Sequence, residues 1–455
     1  VQEVPIGHIT NGVHAGSWTS RKTKELFNTS LGPQWLMRVD DQQLIDKVIE
    51  IPDEALWKTK QAQKEKMLNH VKERLESQFN RNKMSSLQML RIKQLLKPGV
   101  LTIGFARRFA TYKRGTLIFR NIERLKKIVT DPQCPVQIIF AGKAHPKDSG
   151  GQDLIRQIHH LSLSPELRGR VIFVENYDMS LARDLVSGVD IWLNNPRRTQ
   201  EASGTSGQKL GMNGGINFSV LDGWWEEGFN GENGWAFGDN EDFLSLDELD
   251  SWDSEELYDI LENDIIPLYY ERDDAGLPRR WIQTMKNSIK SVLPVFNTHR
   301  MLKDYFNYYY KPAMDMGKEY RKDRFKGAKE VCRWLNKIEQ SWDKIKITSP
   351  NKNGDILLHF GEKWNVKAQV NLGDLQPQDV KVQLYLSHKA IRTDFPNSTE
   401  IFELNVSVQQ ANGEYLYEAE VEPSDSGNYN FALRVLPFHP LLPSPYEVGL
   451  VRWSE

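Results

Sequence analysis

Mostly apolar runs recur along the middle of the chain. Val100–Phe105, Val136–Ala141, Val171–Val174 and Val189–Leu193 read as strands buried on both faces, the pattern of a parallel sheet. The stretches between them, near 114–130, 151–163 and 180–187, have helical spacing. Strand–helix alternation predicts a Rossmann-like, doubly wound α/β domain with a parallel sheet. In such sheets ligands bind beyond the carboxyl ends of the strands. Residues 40–98 are helical and charged: Ile51-Pro-Asp-Glu54 is a start signal, and Leu56, Met67, Leu68, Val71 and Leu75 keep helical spacing to Phe79. Their charge runs read as solvated faces. Downstream, helices are predicted near 254–271 and 275–292, followed by a tyrosine-rich helix through Tyr310.

The period changes near 340. Short alternating segments follow at Ile356–His359, Trp364–Val370, Val380–Leu386, Phe402–Val408, Tyr415–Val421 and Tyr429–Val435. Turn residues separate them, as in Pro350-Asn-Lys-Asn-Gly354 and Ala411-Asn-Gly413. This spacing predicts a carboxyl-terminal antiparallel β-sandwich, all-β in character. The texture divides the chain into a loop-and-helix segment at 1–98, an α/β domain at 99–340 and the β-sandwich at 341–455.

Composition narrows the class. The chain has 455 residues, with 59 Lys and Arg nearly balancing 61 Asp and Glu. That length supports two or three domains with real cores. Near-neutral charge argues against a nucleic-acid partner and leaves anion binding to local basic sites. No apolar run approaches the roughly 20 residues needed to span a membrane, so no membrane partner is expected. Cys134 and Cys332 lie far apart and match no metal spacing, so no metal is expected and a reducing, cytoplasmic setting is. The start, Val1-Gln-Glu-Val-Pro5, has neither a methionine nor a signal pattern and reads as a chain entered partway through. Most of the 13 tryptophans and 15 tyrosines are expected in the core, although aromatic faces also suit sugar rings.

Candidate chemistry falls at the strand exits. After Val189–Leu193 comes Asn194-Asn-Pro-Arg-Arg-Thr-Gln-Glu-Ala-Ser-Gly-Thr-Ser-Gly-Gln-Lys-Leu-Gly-Met-Asn-Gly-Gly215. Its small residues Gly204-Thr205-Ser206-Gly207 let backbone N–H groups converge as at a phosphate-cradling helix start, with Lys209 expected inside the first helical turn. The first strand runs into Ala106-Arg-Arg-Phe-Ala-Thr-Tyr-Lys-Arg114, a crowd of cations that an anion would neutralise. The second ends at Gly142-Lys143, where the lysine either lines the cleft or caps the strand. The third leads to Glu175-Asn-Tyr177. The opening loop carries Asn11, able to hydrogen-bond a sugar hydroxyl, with His8 and His14 nearby.

Glu201-Ala-Ser-Gly-Thr205, followed by Lys209 and Asn213-Gly214, resembles the cofactor signature of the α-glucan (glycogen, starch, maltodextrin) phosphorylases. The resemblance implies that Lys209 carries pyridoxal 5'-phosphate as a Schiff base. It implies that Glu201, Ala202, Ser203 and Gly204 contact the glucosyl unit, and that Gly204, Thr205 and Ser206 offer backbone donors to phosphate. Ala106–Arg114 is similar to the family's Lys-Arg…Tyr-Lys-Arg motif. Arg108 and Lys113 would grip the substrate phosphate, and Arg107 would stand, at the catalytic and cofactor phosphate, where animal enzymes commonly have lysine. Tyr177 would lie beside the cofactor ring, with Asp178 where animal enzymes carry a basic residue. Thr10-Asn11-Gly12 and Trp18 resemble a segment whose asparagine contacts the glucose. Ile216–Val220 and Leu221-Asp-Gly223 resemble the strand and turn beyond the cofactor lysine. Leu436-Pro-Phe-His-Pro440 and Arg452-Trp453 are similar to the end of short, bacterial-type members. The implied fold is the carboxyl-terminal lobe of a GT-B type glycosyltransferase plus the β-sandwich.

The implied reaction is phosphorolysis of an α-1,4-glucan by inorganic phosphate, releasing glucose 1-phosphate with retained configuration. The cofactor's phosphate would act as a proton relay. A large amino-terminal lobe, in cis or in trans, is implied as a further contributor, and assembly as a homo-oligomer is compatible with this. Two other readings stay open. A nucleotide-sugar glycosyltransferase of the glycogen-synthase type shares the architecture, but would bind a nucleotide and not need Lys209. A non-catalytic glucan-binding chain is favoured by the lobe the sequence does not contain. Glycosidase chemistry is disfavoured because no second carboxylate is evident beside Glu201.

Overall fold

The computed structural model describes residues 6–83, 90, 94, 96–238, 245–349, 356–359, 361–388, 399–410, 413–424 and 427–454. They form two compact units, one spanning Ile9–Tyr305 and one comprising the described residues of Phe306–Glu455 with those of Val1–His8. By packing, then, the described residues of 9–98 belong with the parallel sheet, and the unit boundary falls between Tyr305 and Phe306.

The first unit is built on six parallel strands: β1 (Leu101–Phe109), β2 (Val136–Ala144), β3 (Val171–Val174), β4 (Ile191–Asn194), β5 (Ile216–Val220) and β6 (Gly234–Phe237). Their order is β3-β2-β1-β4-β5-β6. The chain runs outward from β1 to β3 and then crosses back to start again at β4. The direction of winding therefore reverses between β1 and β4, the position at which open α/β sheets generally bind their ligands. Alternate residues serve opposite faces. Ile103 and Phe105 join the core on one side, Ala106 the core on the other.

On the second face, helices Asp53–Arg81 and Met179–Gly188 supply Met67, Leu68, Val71, Leu75, Leu181 and Leu185. Lys64, fully buried, ties the long helix to Asp190 at the start of β4, and Asp190 also accepts from Thr102 N at 2.8 Å.

Boundaries differ from expectation in instructive places. β1 continues four residues past Phe105, so Arg107 and Arg108 lie within a strand rather than in an exit loop. The stretch from 114 to 130 holds a short 3-10 turn, Leu117–Phe119, before the helix Ile122–Thr130. The helix expected from 254 begins earlier, at Leu246, with Ser245 capping it by accepting from Glu248 N. Part of the region 40–98 (84–89, 91–93, 95), the turn 350–354, Ala411, Asn412 and residues 1–5 lie outside the described residues. Among the described residues, no helix is long and apolar enough to cross a membrane.

In the second unit, a helix interrupted at Lys322–Phe325 runs from Lys311 to Ser341. The strands that follow are β7 (Lys346–Thr348), β8 (Trp364–Asn371), β9 (Val380–His388), β10 (Thr399–Gln409), β11 (Tyr415–Val421), β12 (Tyr429–Pro437) and β13 (Arg452–Trp453). Ile356–His359, expected as a strand, is not one. The antiparallel order is β13-β12-β9-β10-β11-β8-β7. Hydrogen bonding is thus continuous. β10 pairs with β9 through Thr399–Leu404 and with β11 through Asn405–Gln409, with a register shift between Val406 and Val408. A strand that passes from one half-sheet to the other at such an irregularity is how a folded sheet turns a corner. The Arg452-Trp453 pair closes this unit: the Trp453 ring lies 5.3 Å from the buried Arg434 guanidinium.

Candidate active site at the switch point of the parallel sheet

Arg107 is the next-to-last position of β1 on the Ile103–Phe105 face, and it reaches across the switch point. Its guanidinium donates through Nη1 to Asn194 Oδ1, at the end of β4, and through Nη2 to Glu201 Oε2. Lys113 Nζ meets the same carboxylate at 3.2 and 3.4 Å. All three charged side chains are nearly excluded from water, at 7% (Arg107), 11% (Lys113) and 9% (Glu201) exposure. Burial lowers the Arg107 guanidinium below its ordinary value, and the Glu201 carboxylate opposes that shift. Two cations on one carboxylate leave net positive charge in a dry site, and Arg107 Nε has no hydrogen-bond partner among the described residues. Such a site suits an anion.

The loop carrying Glu201 is held from below. Glu201 N donates to Asp222 Oδ2 at 2.8 Å, and Trp224 N to Ser203 O at 2.9 Å. The Leu221-Asp-Gly223 turn therefore sets the height of this loop. Gly223 has φ +57°, and a Cβ there would come within 2.6 Å of Ser203 O and 2.8 Å of Glu201 O. Asp222 and Asn194 are site residues that motif reading passed over. Asn194 opens the stretch singled out above, but nothing local says that its amide faces Arg107.

Gly204, at φ +81°, is the N-cap of a short helix, Thr205–Gly211. Lys209 lies toward the carboxyl end of that helix, not in its first turn as expected, because Gly204 caps and Thr205 begins it. The Lys209 ammonium lies 4.2 Å from the centre of the Trp18 ring, and burial lowers its pKa below the ordinary lysine value. The helix is fastened to the opening loop from both sides. Gln208 Nε2 donates to Asn11 O at 3.1 Å, and Asn213 Nδ2 to Trp18 O at 2.9 Å. Ser206 Oγ accepts from Trp192 Nε1 at 3.1 Å. Ser203 Oγ is buried without a partner among the described residues.

The remaining candidates sit around this centre. Asn11 is exposed, its loop held by the Val13–Asn297 backbone bridge, and Ala202 is exposed beside Glu201. Tyr177, half-buried and raised in pKa by burial, packs with Trp18 on the same core. Its neighbour Asp178 accepts from Leu181 N at 2.9 Å and pairs with Arg74 at 2.6 Å, so it caps a helix. Arg108 points to the opposite face from Arg107 and is exposed, in register with Lys143 on β2. The structure thus joins Arg107, Lys113 and Glu201 directly and links Lys209, Trp18, Asn11 and Gln208 by contact. Arg108 and Tyr177 lie on the other face of β1 and after β3. Among the described residues, no group of three His, Cys, Asp or Glu could hold a metal.

Comparison with known proteins places the chain in a family. Residues 5–324 match the family described as carbohydrate phosphorylase, and residues 342–455 match the glycogen phosphorylase C-terminal domain. The chain is 40% identical over 460 residues to a maltodextrin phosphorylase of Thermococcus litoralis, covering all of this chain and 53% of the relative. It is 48% identical over 309 residues to a glycogen phosphorylase of Aquifex aeolicus, covering 68% of this chain and 44% of the relative. A glycogen phosphorylase of Mycobacterium tuberculosis is 35% identical over 457 residues, 99% of this chain and 52% of the relative. The chain spans about half the length of these relatives. With family matches running through both structural units, the chain belongs to the carbohydrate phosphorylase family.

Proposed function

We propose that the chain is the cofactor- and phosphate-binding half of an α-glucan phosphorylase, the carboxyl-terminal lobe of a GT-B type enzyme. Its reaction would be phosphorolysis of an α-1,4-glucan to glucose 1-phosphate with retained configuration, completed by an amino-terminal lobe. The observation that carries this reading is the buried Arg107–Glu201–Lys113 cluster at the switch point. A cytoplasmic setting belongs to the same proposal, in keeping with the free thiols of Cys134 and Cys332.

The residues fit pyridoxal 5'-phosphate. Lys209 offers an amine that burial pushes toward its neutral, nucleophilic form. Ser203 Oγ and Arg107 Nε are buried polar atoms with capacity to spare for an anionic ligand. When bound, the cofactor would supply a second phosphate beside the substrate phosphate, able to give and take back a proton. Arg107 and Lys113 would lower the repulsion between the two anions, and Arg108 would hold inorganic phosphate from the other face of β1. In the reaction a proton passes from inorganic phosphate to the glycosidic oxygen. That oxygen leaves with the electron pair of its bond to C1, and a phosphate oxygen bonds to C1 on the same face. Glu201 would hydrogen-bond a sugar hydroxyl, and Asn11 another, steadying the ring as it flattens.

The chain would be loaded with pyridoxal 5'-phosphate, reduced with borohydride and digested. A phosphopyridoxyl mass on the peptide containing Lys209, absent in Lys209→Ala, is expected; an unlabelled wild-type peptide overturns the reading. Release of glucose 1-phosphate from a linear α-1,4-glucan would then be measured for the chain alone and supplemented with the amino-terminal half of the Thermococcus relative. Arg108→Ala should weaken use of phosphate about tenfold or more while sparing glucan binding, as expected for loss of a charge-assisted bond. Equal losses would remove Arg108 from that role.

A further inference from the structure

The helix Leu246–Ile260 shares no candidate residue with the site, yet it is bonded to both loops that form it. The turn after β1 ends at Arg114, a non-glycine residue in the left-handed region at φ +44°. A residue persists there only when its surroundings fix it. Arg114 Nε donates to Asn195 O at 2.9 Å and Nη2 to Pro196 O at 2.8 Å, and Asn195 Nδ2 returns a bond to Arg114 O at 3.0 Å. Arg197 N donates to Tyr112 O at 2.8 Å. The turn bearing Lys113 and the loop that runs from Asn194 to Glu201 are therefore sewn together.

Both are then fixed to the helix by two carboxylates. Arg114 Nη1 lies 3.0 Å from Asp250 Oδ1 and 2.6 Å from Asp253 Oδ2, and Arg197 Nη2 lies 2.7 Å from Asp250 Oδ2. The cluster is neutral, two arginines to two aspartates, and its Arg114 and Asp253 side chains are only 3% exposed. Buried ion pairs of this kind bring little net stability after desolvation; what a planar guanidinium fork does supply is orientation. The same helix continues the pattern outward, pairing Arg120 with Asp247 and Arg124 with Glu255 and Asp259.

We infer that Asp250 and Asp253 are positioning residues for the anion site, acting through Arg114 and Arg197 to hold Lys113 and Glu201 in register with Arg107. The inference rests on the phosphorylase reading above, since it assigns what the positioned cations bind. Inorganic phosphate affinity would be measured by calorimetric titration on the cofactor-loaded chain for wild type, Asp250→Asn, Asp253→Asn and Arg114→Lys, with Asp259→Asn on the outer side of the helix as control. Phosphate affinity should fall about tenfold or more in the first three, because a cation moved out of reach of the anion loses a charge-assisted hydrogen bond, which costs that much. Near-ultraviolet circular dichroism should report retained folding. Arg114→Lys separates geometry from charge, since it keeps the charge and loses the fork. If Asp253→Asn does not fold, the more exposed Asp250→Asn carries the test. Folded variants that bind phosphate within about twofold of wild type, or an Asp259→Asn loss equal to theirs, overturn the inference. A wild-type chain that binds no phosphate overturns the functional reading beneath it.

Discussion

Glu201→Gln tests the central cluster most directly. The change keeps the shape of the side chain and a carbonyl acceptor, but leaves Arg107 and Lys113 with no anion, in a site where all three side chains are about one-tenth exposed or less. Removing one partner of a buried pair typically costs about 3–5 kcal/mol, chiefly from the stranded charge. Here Asn194 Oδ1 still accepts from Arg107, so the lower end, about 3 kcal/mol, applies. For a unit of this size each kcal/mol lowers the melting temperature by about 2 °C, giving a fall of about 6 °C. The second half of the prediction is sharper. On the proposed function, inorganic phosphate would replace the missing carboxylate charge, and in wild type it would compete with Glu201 for the same cations. The variant should therefore gain more from phosphate. A tenfold tighter dissociation constant adds about 1.4 kcal/mol at saturating ligand, or about 3 °C. Calorimetric unfolding with and without phosphate, at ionic strength matched with chloride, reads both quantities. A loss under about 1 kcal/mol, or an equal phosphate shift in the two proteins, would refute the view that buried, unpaired cations govern this site.

Two further perturbations probe the scaffold. Gly223→Ala puts a Cβ into two loop carbonyls at positive φ, whereas Gly231→Ala, at φ +83°, meets open space. Both pay conformational strain of about 1 kcal/mol, and only the first should also lose the Glu201–Ser203 loop, so thermal denaturation should show Gly223→Ala as clearly the costlier. Lys60 is fully buried, donates to Ser187 O and Val189 O, and has a pKa lowered by burial to about 8. Between about pH 8 and its ordinary value near 10.4, the unfolded chain binds a proton that the native state does not, so this group's contribution to stability rises with pH. Wild type should gain on Lys60→Met by about 1.4 kcal/mol per pH unit in that window in denaturant titrations, and a constant gap would contradict the assignment.

The strands of the α/β unit were legible where their side chains are buried on both faces, so apolar runs such as Val136–Ala141 and Val171–Val174 mark them with little tertiary help, whereas Ile216–Val220, with Asn217 and Ser219 inside it, was legible only through the resemblance. Ends were less legible. β1 continues through Arg107 and Arg108 because neighbouring β2 and an ion pair across the switch point satisfy a charged strand end, and no local pattern announces either partner. β7 was missed, being three residues long and stabilised by pairing with β8. Conversely, Ile356–His359 has strand composition but no ladder.

What the sequence by itself determined was the repertoire: cations at the exit of β1, a carboxylate and small residues after β4, a lysine two residues past those small residues, and a resemblance that implied roles for them. Only the tertiary structure decided who meets whom. Strand alternation sends Arg107 to Glu201 and Arg108 to the other face. Reversal of the winding direction between the parallel strands β1 and β4 brings residues nearly ninety positions apart, such as Arg107 and Asn194, onto one bond. Asp250 and Asp253 belong to no motif, since their importance comes from two arginines supplied by distant loops. Local periodicity encodes which face a residue occupies; partners separated by long stretches of chain are fixed only when the sheet order closes those loops onto one another.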